Sequence, residues 1–424
     1  MTDHDALLHA ILANPDDDTA RLVYADFIQE AGDDRRAEFI RGQVELAKTP
    51  DWEPFAVRWR RADLATQAGD GFRESLPWHD SWNPRFPFRR GLGYAVKTNA
   101  VQNLIDYGDQ LFASAPVGEL HLPGGDMQEY TAFAAQPWLP KVRAIRFWTL
   151  TTPTEPVRAL CASPLATGID TIHFEKASSP GMSFLVEGLF ESPLGQQLRE
   201  LSFHVGDGSQ LDLVEAFEAG GPPRLERLTF DNMGLDDAAG RRLAASPVFD
   251  TLRELTFKDM NFDERQVQRL LQSIRPGLQS LSFVGMGFRP SEHDIFAGLS
   301  STKFRSLKRL RITGGYGFRP HLRSILVPPL AGVRALGLRG LSPDDGFFAQ
   351  LVTAPFWNNL VELDLRDNQL TDQAARYLLA VAPPPELTTL DLRLNDTIGN
   401  EQRNQLREHY GHSLLLSEPG ESLH

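Results

Sequence analysis

Along most of the chain, apolar residues recur in the pattern apolar-x-x-apolar-x-apolar. The first copies are Val117/Leu120/Leu122, Val142/Ile145/Phe147 and Ile169/Ile172/Phe174, and the last are Leu360/Leu363/Leu365 and Leu387/Leu390/Leu392. Eleven copies between Val117 and Leu387 give a mean period of 27 residues, with steps of 25 to 29. Within each copy the last two apolar residues lie two apart, so they share one face of an extended strand while the polar residue between them takes the other. Between copies the spacing becomes helical. In TDQAARYLLAVA (371–382), Thr371 is placed as an N-cap, and Ala374, Ala375, Leu378, Leu379 and Ala382 form one apolar stripe; DERQVQRLLQSI (263–274) has the same form. A unit of one strand and one return helix cannot bury its apolar face alone, so neighbouring copies must stack.

The segment LVELDLRDNQL at 360–370 carries L-x-x-L-x-L-x-x-N-x-L, and LTTLDLRLN at 387–395 carries most of it. On these residues and this period the chain resembles leucine-rich repeat proteins of the ribonuclease-inhibitor-like class. The resemblance implies an α/β fold, a right-handed horseshoe solenoid with parallel concave strands and outer helices, over residues 117–393. The pattern's Asn stands only at Asn368 and Asn395. Met233, Met260 and Met286 fill its place in the central copies, where soft side chains are expected to pack beneath the turn.

A stack of repeats exposes its core at both ends and needs atypical capping units. Upstream, RRGLGYAVKT (89–98) reads as a degenerate opening strand with Tyr94 and Val96 inward, and Ala100 to Ser114 as its helix. Residues 49–116 are therefore assigned as linker and N-terminal cap. Downstream, 394–424 reads as a closing unit: a polar helix from Asn400 to Tyr410, Gly411 after its end, and a short strand at Leu414. Residues 1–48 lack the repeat and predict three helices: Thr2 to Ala13, Asp18 to Ala31 stopped by Gly32, and Asp34 to Ala47. Asn14-Pro15-Asp16-Asp17-Asp18, Arg21-Leu22-Val23-Tyr24-Ala25-Asp26, Gly32-Asp33 and Glu38-Phe39-Ile40-Arg41 resemble a bacterial repeat-companion module found beside leucine-rich repeats. That resemblance implies architecture but no activity. The module is expected to pack on the opening repeat through Leu22, Phe27, Phe39 and Ile40.

Composition narrows the chemistry. The chain has 424 residues, 43 Lys and Arg against 56 Asp and Glu, and a formal net charge of −13. Such a surface repels phosphate backbones and anionic lipid. The acidic start and the absence of a long apolar run predict neither secretion nor a membrane span. With one cysteine, Cys161, an intramolecular disulfide and multi-thiolate metal sites are excluded, and a cytoplasmic setting is expected. Phosphate-cradling, zinc-protease and nucleophile-elbow motifs are absent, and no cofactor is expected. Asp16-Asp17-Asp18 lacks the alternating spacing of a calcium loop and suits a helix start. The segment 78–90 interleaves Trp78, Trp82, Phe86 and Phe88 with Arg85, Arg89 and Arg90, the composition of a nucleobase-stacking platform and so an alternative reading as a nucleic-acid-binding loop; packing between the N-terminal helices and the first strand is the expected role.

Function in such an array is expected on the open side of the strands. Counting the first apolar residue of each copy as zero, positions two, four and six face outward. Position four reads His121, Arg146, His173, Ser202, Thr229, Thr256, Ser282, Arg311, Gly337, Asp364 and Asp391; position six begins Pro123, Trp148, Glu175, His204. His121, Arg146, Trp148, His173, Glu175 and His204 thus converge as a patch of the residue types that anchor protein partners. His173, Glu175 and His204 present a second reading, as metal ligands of an enzyme or sensor. Arg339, Arg366 and Arg393 beside Asp364 and Asp391 read as a solvated, self-neutralising ladder. The expected function is that of a monomeric, non-enzymatic scaffold for a protein or peptide.

Overall fold

The computed structural model describes residues 2–48, 82–83, 88–148, 154–177, 182–205, 217–218, 220–234, 237–260, 264–285, 294–314 and 316–417. They form two compact units, the first ending at Val205 and the second beginning at Phe217. Both are built on the same repeat, the α/β leucine-rich repeat fold.

The first unit opens with α1 (Asp3–Ala13), α2 (Asp18–Glu30) and α3 (Asp34–Lys48). Local chemistry sets their limits. Thr2 and Asp5 make a reciprocal capping box at α1, Asp17 accepts the Thr19 N–H at α2, and Gly32 ends α2 with φ +93°. The three helices share a core of Ile11, Tyr24, Ala25, Ile28, Ala37, Ile40 and Val44, against which Leu22 and Phe27 pack. Leu92 enters the same core from a hairpin of β2 (Phe88–Arg89) and β3 (Leu92–Gly93). At its turn Gly91 has φ +79°, and a Cβ there would lie 2.5 Å from Ile40 Cα, so only glycine lets the hairpin approach α3. Arg90 reaches Asp16 at 2.6 Å and Asp18 at 3.2 Å. The helix-start aspartates therefore also fasten the module to the opening strand.

A sheet follows, in the order β1 (Trp82–Asn83), β4 (Ala95–Thr98), β5 (Glu119–Leu122), β6 (Ala144–Phe147), β7 (Thr171–Ala177) and β8 (Glu200–Val205). β1 is antiparallel to β4, and the other neighbours are parallel. Val96, Leu120, Ile145, Ile172 and Leu201 are in register and buried, each at 2% exposure or less. Phe147, Phe174 and Phe203 stack behind them with centroids 5.7 and 5.4 Å apart. Tyr94 is only half-buried, unlike Val96.

The second unit repeats this arrangement in β9 (Arg227–Asp231), β10 (Glu254–Lys258), β11 (Ser280–Val284), β12 (Arg309–Thr313), β13 (Ala335–Arg339), β14 (Glu362–Asp364), β15 (Thr389–Asp391) and β16 (Leu414–Leu415), all parallel. The closing helix spans Asn400–Tyr410, with Gly411 at φ +55° after it. The asparagines that follow β14 and β15 each hold the turn of the preceding repeat, after β13 and β14. Asn368 Oδ1 accepts the N–H groups of Leu341 and Ser342, while its Nδ2 donates to the carbonyls of Leu338 and Leu365; Asn395 serves the next turn in the same way. Met233 and Met260 are buried, as the packing reading expects, whereas Met286 lies outside the described residues.

The return segments are less uniform than the period suggests. Thr371 caps a helix, Asp372–Leu379, that stops before Ala382, which is exposed. After β12 the chain returns as a 3-10 segment, Tyr316–Ile325; Pro320 within it has no N–H to close an α-helical turn.

Candidate functional site

The register aligns Lys97, His121, Arg146, His173 and Ser202 on adjacent strands of the first unit, on the face opposite the apolar core. This is the polar row expected from the repeat, and the structure shows how tightly it is knitted. Arg146 Nη1 donates to Glu175 at 2.9 Å, and Arg146 Nε lies 3.5 Å from Glu119. Glu119 also meets His121 Nε2 at 2.8 Å, and His173 Nε2 stands 3.6 Å from Glu200. Trp148 continues the ladder beyond β6 through its N–H to the Leu122 carbonyl. Its Nε1 donates to the Thr98 carbonyl at 3.3 Å, and Lys97 Nζ lies 4.1 Å from its ring centroid, within cation–π range. His204, on β8, is half-buried.

The patch is thus a hydrogen-bonded network whose cations already have partners. Two carboxylates, Glu119 and Glu175, flank Arg146, and a third, Glu200, stands beside His173. Burial holds the His173 imidazole below its usual pKa despite Glu200, so it is neutral near pH 7. Burial pushes the Glu119 carboxyl up, but the hydrogen bond and charge of His121, with Arg146 and His173, bring it net below the ordinary glutamate value. Glu119 and Glu200 occupy outward position two of their repeats, a row that reading positions four and six alone leaves out. Lys97 is visible only once the register shows it beside His121.

At the far end of the second unit the expected ladder exists, but it is not solvated. Arg366 grips Asp364 through two bonds of 2.6 and 2.9 Å, Arg393 grips Asp391 likewise, and Arg366 also reaches Asp391 at 3.3 Å. These side chains are only 7–17% exposed. The bidentate geometry and shared aspartate explain the low exposure: each fork satisfies its carboxylate within the row.

The structure does not gather His173, Glu175 and His204 into a ligand set: among the described residues no group of three or more His, Cys, Asp or Glu is placed to hold a metal ion. Cys161 is half-buried on the helix Thr154–Ala162, and burial raises its thiol pKa against a hydrogen bond with Ser192, the opposite of an activated nucleophile. Of the 78–90 segment, Trp78, Arg85 and Phe86 lie outside the described residues, as do the side chains of Trp82, Phe88 and Arg89. Arg90 is turned toward Asp16 and Asp18. No helix among the described residues is long and apolar enough to cross a membrane.

Residues 358–379 and 385–401 match a family model described as Leucine Rich repeat. No curated protein matches the chain. Similar solved structures include a protein of Bacteroides fragilis, 13% identical, covering 76% of this chain and 82% of its own, with a TM-score of 0.40. A chain from the yeast Rad7 and Elc1 complex is 13% identical over 75% of this chain and 88% of its own, with a TM-score of 0.42. A leucine-rich repeat protein from Bacteroides eggerthii is 10% identical over 72% and 57%, with a TM-score of 0.32. The fold assignment rests on the repeat and register of this chain itself.

Proposed function

We propose that this chain is a non-enzymatic scaffold that binds a protein or peptide partner on the open sheet face of its first unit, through His121, Arg146, Trp148, His173, Glu175 and His204. The observation that carries the reading is the aligned row of half-buried polar and aromatic side chains on adjacent parallel strands. Groups fixed by one another lose little conformational freedom on binding, so their contacts translate efficiently into affinity. Arg146 is ion-paired, as Arg366 is, so pairing does not separate these two arginines; an aromatic anchor does. Trp148 adds a large ring with a polar edge, the side-chain type whose truncation at an interface commonly costs about 2 kcal/mol or more.

The test is capture of partners from the native cell with the full chain, identification by mass spectrometry, and titration of the recovered partner against variants at two salt concentrations. Trp148→Ala is expected to lose binding while Arg366→Ala retains it. Loss in Arg366→Ala with Trp148→Ala unaffected overturns the assignment.

A further inference from the structure

The second unit contains a charge arrangement centred on Arg311. A cleft on its sheet is lined by Arg309 and Arg311 from β12, Gly337 from β13, and Glu362, Asp364 and Arg366 at β14. The register sets Ser282, Arg311, Gly337, Asp364 and Asp391 side by side. Gly337 interrupts this row, and Arg311 leans into the gap: a Cβ at 337 would lie 3.2 Å from Arg311 Cγ. Beyond the gap stands Asp364, the carboxylate Arg311 would otherwise engage. Its two oxygens are already held by the Arg366 fork.

Arg311 thus feels the Asp364 charge without forming an ion pair with it. Among the described residues neither Arg311 nor Arg339 is ion-paired, while the aspartates around them are satisfied by Arg366 and Arg393. Burial, opposed by Asp364 but reinforced by Arg366 and Arg339, lowers the Arg311 pKa. A partly desolvated guanidinium without a partner is costly, and an incoming anion removes that cost.

We infer that the cleft over Gly337 is a binding site for the carboxylate side chain of an acidic peptide, gripped by Arg311 with Arg339 beside it. A monoanionic carboxylate matches one free planar fork. A phosphate dianion would also have to face Glu362 and Asp364 in the cleft wall. The chain's net charge of −13 does not oppose a local contact strongly, because exposed charges beyond about 8 Å are screened at physiological salt. The site needs none of the first unit's residues.

Titration calorimetry of the full chain with a six-residue polyglutamate peptide tests this, with polyglutamine and inorganic phosphate as parallel probes. Saturable binding of polyglutamate alone is expected, weakened about tenfold or more in Arg311→Gln and in Gly337→Val, which fills the cleft. Arg311→Lys keeps the charge without the fork and should fall between. Circular dichroism and urea midpoints matching the parent confirm that each variant is folded. Equal binding of polyglutamine, phosphate binding as tight as polyglutamate, or undiminished polyglutamate binding by a folded Arg311→Gln each overturns the proposal. Loss in Trp148→Ala with Arg311→Gln unaffected also overturns it, by moving the contact to the first unit. Failure of polyglutamate to bind overturns this site while leaving the first unit's proposed role standing.

Discussion

Replacing Asn368 with alanine removes more bonding than any leucine in the repeat could supply. The side chain is 1% exposed and serves four backbone groups: the N–H groups of Leu341 and Ser342 and the carbonyls of Leu338 and Leu365. Asn368→Ala leaves three of them buried without that partner, at about 1–3 kcal/mol apiece if nothing relaxes, while the Leu365 carbonyl keeps the Asn395 Nδ2 donor. Water entering the vacated space would recover part of that. Ser342, at φ +45°, gains a route to relax once released. A net loss of about 3–5 kcal/mol follows. Asn368→Asp separates the two halves of the effect: it keeps acceptors for the N–H pair but turns oxygen toward two carbonyl oxygens, so it should not rescue. Urea unfolding followed through Trp357, buried in the same unit, reads the stability. Hydrogen exchange over 338–345 reads the turn directly, with the Leu341 and Ser342 amides expected to exchange faster. A loss below about 1 kcal/mol with those amides still protected would show that the turn is held by neighbouring strands and not by the asparagine.

Leu255→Ala, at a 1% exposed position between Leu228 and Leu281, should cost about 2–5 kcal/mol; an unchanged urea midpoint contradicts the register. His173 is folded with its pKa below the ordinary 6.5, so as pH falls through about 6.5 the unfolded chain takes up a proton that the folded chain resists. Stability should then drop progressively toward the folded pKa, and His173→Gln should lose less than the parent between pH 7 and 5; parallel pH profiles would refute this. Gly91→Ala should cost about 1–2 kcal/mol from its left-handed backbone, with more from the approach to Ile40. Faster proteolysis within residues 1–48 is the expected readout, and unchanged proteolysis would show that the hairpin does not hold α3.

The repeat was legible because burial acts on every copy alike. A strand with one face in the core must alternate, so Leu228, Leu255 and Leu281 declare their register by spacing alone. Return segments obey a weaker rule, since a covering of the core can be met by an α-helix or by a 3-10 turn. The segment after β12 takes the second course around Pro320, while the helix after Thr371 ends ahead of Pro383, which disfavours helical backbone at Ala382. Gly91 shows the same limit from another side: its sequence context suggests a turn, but the need for glycine comes from Ile40, more than fifty residues away along the chain.

For the candidate sites, spacing identifies which side chains share a face and leaves open whom each one touches. Arg146 and Arg311 occupy the same position of their repeats, and both are long cations beside carboxylate-bearing strands. Arg146 reaches Glu175 and Glu119 because both oxygens are within its sweep. Arg311 has Gly337 on its next strand and, beyond it, an aspartate already taken by Arg366. The difference lies in one missing side chain and one competing fork, and neither changes the apolar period. A ligand's carboxylate completes for Arg311 what Glu175 completes for Arg146, which is why the two ends of the array are expected to recognise partners differently: the first through a pre-paired aromatic surface, the second through a charge awaiting its counterpart.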